Sequence, residues 1–197
     1  MSLSLIPASN VPEEDRFHKN LAILIQIMKT CMNMLPNVNS QALNMLNLAE
    51  TMLSAANKGT IIQGFITNSH KKDSTGKIVE MLWDHIKSHD EVFFIDNAHS
   101  IFAGLPVNQV NIFRDIFLTK NSQGEPVISK SLRDQIWGIL EPMVKIAIKY
   151  IHRDRQPYSV EVKGTLVRRY HAAFFDDINL VHHAAVWKMD LPFPPRP

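Results

Sequence analysis

Histidine is the commonest metal ligand and acid–base side chain, and this 197-residue chain has nine histidines and one cysteine, so their spacing is the first thing to read. His85 and His89 stand four residues apart, the separation that brings two imidazoles to one ion on a helix, with Glu91, Asp96 or His99 as further ligands. No His-Glu-x-x-His motif accompanies them. The competing reading is a pair of solvated imidazoles near a helix C-terminus, where the dipole favours their protonated form. The second group is His171, Asp176, Asp177, His182 and His183. On one continuous helix His171 and His182 would share a face, while Asp176 and His183 would sit about 100° away. Convergence on a metal would need a chain break. Asp176 or Asp177 reads more simply as the start of a last helix, and His182 and His183 as ordinary polar contacts. A metal-dependent enzyme using His85 with His89, or His171 with Asp176 and His182, is therefore the third-ranked function.

Nucleophilic and nucleotide chemistry lack their motifs. There is no Gly-x-Ser-x-Gly elbow, Cys-x-x-Cys pair, Gly-x-Gly-x-x-Gly turn or phosphate-binding loop, and seven glycines leave little backbone to cradle phosphates. No cofactor is called for and no catalytic residue is assigned. Cys31 falls on an apolar helical stripe and reads as a small buried hydrophobe.

Charge offers a different chemistry. The net charge is only +2, which excludes a surface built throughout for nucleic acid. Between Lys145 and Arg169, however, seven basic residues face two acidic ones. Lys145 and Lys149 fit the polar face of a helix, with Glu141 and Lys145 at the stabilising i, i+4 spacing. Arg153, Arg155, Arg168 and Arg169 are left over, and they are the candidate phosphate contacts of a nucleic-acid or phosphate-binding module, the second-ranked function.

The elements that must position these groups are mostly helices. From Phe17, the residues Leu21, Leu24, Met28, Cys31 and Leu35 follow at spacings of 4, 3, 4, 3 and 4, one stripe of a helix. After Pro36, the residues Ala42, Leu46, Ala49, Leu53 and Ala56 repeat the pattern, which predicts an antiparallel αα-hairpin. Asn10, Pro12 and the run Glu13-Glu14-Asp15 mark the first start, and Asn57-Lys58-Gly59 the second stop. Both helices are apolar beyond one stripe, so a hairpin alone would leave apolar surface wet, and another part of the chain or another chain must cover it.

Further on, Thr60 to Asn68 reads as a helical turn or two, and Ser69 to Gly76 as an exposed loop and the best internal boundary. Helices follow through Ile78 to Ile86, Val92 to Phe102 (Ser88 and Glu91 as a capping box), Asn108 to Thr119, and Ser131 to His152, the last kinked between Gly138 and Pro142. Tyr158 to Arg168 alternates as a small hairpin about Lys163-Gly164, a helix being the other option. Leu191 to Pro197, with four prolines in six residues, is an extended tail suited to docking or to fraying.

The expected fold is all-α or nearly so, a multi-helix bundle of about seven helices with an N-terminal αα-hairpin and at most one small β-hairpin. Residues 1–68, 75–190 and 191–197 are the expected units, with one continuous domain as the alternative. No apolar run approaches the roughly 20 residues needed to span a bilayer, and the lone cysteine and missing leader features point to an intracellular protein of cytoplasm or nucleus. The first-ranked function is a non-enzymatic structural or interaction subunit of a larger assembly, extending to a minor component of a virus particle. It would dock on a protein partner or on itself through Leu24, Met28, Met32, Met45, Met52, Phe193 and Arg196.

Overall fold

The computed structural model describes residues 11–36, 40–98, 107–155, 158–162, 165–169, 175 and 177–192; for 107–109, 112–113, 158–162 and 165–169 it describes the backbone alone. Among them lie eight helices: α1 Glu13–Met34, α2 Ser40–Ala55, α3 Lys58–Asn68, α4 Leu82–Lys87, α5 Glu91–Asp96, α6 Val107–Leu118, α7 Lys130–Asp154 and α8 Leu180–Val186. Two antiparallel hairpins interrupt them, β1 His70–Lys72 with β2 Ile78–Met81, and β3 Tyr158–Val162 with β4 Thr165–Arg169. The chain is a helical bundle.

The hairpin expected at Tyr158 to Arg168 forms, with Tyr158 opposite Arg169 and Val162 opposite Thr165. The other hairpin occupies a stretch that reads as loop followed by helix. Its strands are short and charged, and its turn supplies what propensity does not. Asp73 Oδ1 accepts hydrogen bonds from the Thr75 and Lys77 amides and the Thr75 hydroxyl, while Gly76 takes φ 84°. Lys71 and Glu80 then pair across the ladder.

Several helix ends differ from their sequence reading because a neighbouring residue makes the better cap. Asn57 opens α3 rather than closing α2, its side chain accepting from the Thr60 amide, so Gly59 lies inside a first turn. Asp90, not Ser88, caps α5 by accepting from the Phe93 amide; Ser88 closes α4. Asn179 caps the last helix, and Asp177 instead pairs with Lys72. Pro12 is the residue before the first helical turn of α1, and Asn10 lies outside the described residues. Helix α7 continues without a break through Pro142.

The hydrophobic core has two parts joined along α1 and α7. One gathers Phe17, Ile62, Ile66, Trp83, Trp137 and Ile148, so residues from both sides of the 70–81 hairpin share it. The other covers the N-terminal hairpin: Cys31, Met32, Leu35, Ala42, Leu46 and Leu53 meet Ile116, Ile128 and Ile136. The chain itself therefore covers most of the apolar surface that the first two helices need to hide. Each such large side chain contributes about 1.5–3 kcal/mol on burial.

A candidate binding cavity

Among the described residues the histidines do not converge on a metal site. His85 Nδ1 lies 3.1 Å from Asp90 and its ring stacks on Phe93 at 3.4 Å between centroids. His89 turns away, 2.7 Å from Glu141 and stacked on Trp137. Among the described residues no group of three or more histidine, cysteine or acidic side chains could hold a metal ion. His182 is exposed and His183 buried; His99, His171 and Asp176 lie outside the described residues.

Two of the four candidate phosphate-binding arginines are engaged within the chain. Arg153 donates to both oxygens of Glu14 (2.9 and 2.7 Å), to Glu13 (3.2 Å) and to Asp154. Arg155 donates to the carbonyls of Phe175 and Ile178. Arg168 and Arg169 lie on β4, where only the backbone is described. Arg153 and Arg155 thus fasten the end of α7 to α1 and to the approach to α8.

The candidate docking residues divide. Met32 and Met28 are buried in the chain's own core, so an open surface is not what they supply. Met45 is half-buried and Met52 is 62% exposed, one turn from Leu48 at 59%, leaving a short apolar strip on α2. Ala49 and Ala56, read as part of the inward stripe, are exposed. Phe193 and Arg196 lie outside the described residues.

Leu24 and Met28, with Leu21, have a further role, because they form one wall of a cavity of about 370 Å³. Phe65 of α3, Ile86 of α4, Phe94 and Ile95 of α5, Phe117 of α6 and Trp137, Leu140 and Met143 of α7 complete the lining. A water's share of the liquid is about 30 Å³, so the cavity is many times larger than one water. It falls in the range of about 300–1,000 Å³ typical of ligand pockets.

Four polar side chains line the cavity, Asn68, Ser69, Glu91 and Arg114. Glu91 pairs with Arg133 at 2.6 Å, and Arg133 also donates to the carbonyls of Ile128 and Phe117. Ser69 donates to the Phe65 carbonyl. Arg114 differs: its Nε is enclosed and has no hydrogen-bond partner. Such a site can hold an apolar group and one polar atom, but it presents no nucleophile with an adjacent base. The sequence carried one signal for it, an arginine placed among Ile112, Phe113, Ile116 and Phe117; the aromatic walls, drawn from four helices, gave none.

No protein-family model matches this chain, and neither the curated proteins nor the solved structures contain a match to it. No helix of the described residues is long and apolar enough to cross a membrane.

Proposed function

We propose that the chain is a non-enzymatic interaction subunit of a larger assembly, which receives an apolar segment of a partner protein in the cavity beside α1. The observation that supports this reading is the cavity itself: about 370 Å³ walled by Leu24, Met28, Phe94, Phe117 and Trp137. Apolar side chains of a partner segment would gain the contacts that the lining lacks, and pockets of this kind are where interfaces concentrate their binding energy. The exposed Leu48 and Met52 provide a second apolar strip on the same helical hairpin. A minor component of a virus particle is one assembly of this type.

The test is to fill the cavity. Ile95→Trp places an indole in it from α5, with affinity capture from the native source as the readout and thermal melting as the control. The expected result is loss of the captured partner while the melting temperature stays level or rises. The proposal fails if the filled variant captures the same partner, or if the native protein is strictly monomeric with no stable partner. A small apolar molecule found in the protein by native mass spectrometry would replace the partner segment with a ligand.

A further inference from the structure

Away from this cavity, a cleft of about 320 Å³ lies between α1, α7 and the turn after α8, and its charge is one-sided. Arg16, Lys145, Lys149 and Lys188 line it with a single carboxylate, Asp190. Elsewhere among the described residues five lysines find carboxylates, Lys29 with Glu50, Lys58 with Asp15, Lys71 with Glu80, Lys72 with Asp177 and Lys130 with Asp134, while others such as Lys77 and Lys120 stand singly on the surface. None of the four cleft cations makes an ion pair or side-chain hydrogen bond among the described residues.

Three features make this arrangement costly for the protein alone. Lys145 and Lys149 are like charges at i, i+4 on α7, which disfavours the helix. The internal partner spaced to neutralise Lys145, Glu141, is drawn to His89 at 2.7 Å instead. Lys188 occupies the left-handed position that closes α8, at φ 52°. There its amide bonds the Ala185 carbonyl and the Met189 amide the Ala184 carbonyl, a helix end that glycine fits best. The helix dipole cannot account for Lys145, more than two turns from the end of α7, because that effect fades within the last turn.

We propose that this cleft binds a small molecule carrying two or more phosphate groups. Four cations against one acid leave three positive charges in excess, and one phosphate group carries only about 1.5–2 negative charges at neutral pH. A concave wall with a net positive excess focuses the field on a compact polyanion, and lysine ammoniums serve phosphate as point charges. The site is independent of the apolar cavity, and it is not the arginine set that the sequence singles out.

Titration calorimetry of the full chain with inorganic tripolyphosphate tests it at low salt. Saturable one-to-one binding is expected, weakened about tenfold by Lys145→Gln or Lys149→Gln, as for loss of one charge-assisted hydrogen bond. The triple variant R16Q/K145Q/K149Q should abolish it, while Lys77→Gln, an exposed lysine elsewhere, changes affinity less than about twofold. Circular dichroism confirms that each variant is folded. Absence of saturable binding to the wild-type chain overturns the proposal without recourse to any variant. So does binding that the triple variant retains, or that Lys77→Gln reduces equally. Binding to single-stranded RNA or to anionic vesicles without binding to tripolyphosphate also overturns it, since the cleft would then serve a polymer or a lipid surface.

Discussion

Replacing Arg153 with glutamine separates the role that the structure gives this residue from the one that its sequence context suggests. Its guanidinium spans two oxygens of Glu14 and reaches Glu13, tying the end of α7 to the first turn of α1. It also lies 4.8 Å from the Tyr150 ring. The arginine is 42% exposed and both glutamates 22%, so solvent screens the pair. Fully exposed pairs contribute about 0.2–1 kcal/mol, and a forked, half-shielded contact should reach roughly 1–2 kcal/mol. For a chain of this length, each 1 kcal/mol moves the melting temperature by about 2–4 °C, which gives a fall of about 2–8 °C for Arg153→Gln. A double-mutant cycle with Glu14→Gln should return a coupling near 1 kcal/mol at neutral pH. The hydrogen bond from Arg153 holds the Glu14 carboxyl below its ordinary value of 4.5. Its stabilisation is therefore complete above that value and lost as pH falls through the lower folded value, so the coupling should shrink in acid. Tripolyphosphate binding should be unchanged in Arg153→Gln. An unaltered melting temperature with no coupling to Glu14, or loss of tripolyphosphate binding, would refute the reasoning.

Two further outcomes follow from buried groups. Burial holds the His183 imidazole below its ordinary pKa of 6.5, edge-on to Trp83 at 5.3 Å. The unfolded chain therefore takes up a proton first on acidification: the contribution of His183 is full above about 6.5 and lost as pH falls toward the folded value. His183→Phe should flatten the decline in melting temperature over that interval, and an unchanged pH profile would contradict the assignment. Cys31 is fully enclosed and its thiol is pushed up to about 11 by burial. The native protein at pH 8 should leave a thiol reagent untouched, and one equivalent should react in denaturant; rapid labelling of the folded chain would place Cys31 at an accessible site.

The sequence alone determined what is encoded within a few residues. The 4-3 spacing from Phe17 to Leu35 fixed which face of α1 turns inward, and Pro36 its end. Alternation at Tyr158 to Val162 marked a strand, and Cys31 was legible as buried. Each rests on periodicity or on a residue's own steric limits, which act through neighbours along the chain. Competing caps were already harder, because Asn57 can close one helix or open the next, and only the placement of α3 decides. Tertiary structure alone determined the partners. Arg153 meets Glu14 across 139 residues, and His89 rather than Lys145 takes Glu141 across 52. The cavity draws its wall from α1 and α3 to α7, and the basic cleft joins Arg16 to Lys188. Nothing local distinguishes a lysine that will find a carboxylate from one that will not, because Coulomb attraction depends on separation in space, and that separation is set only when the helices pack.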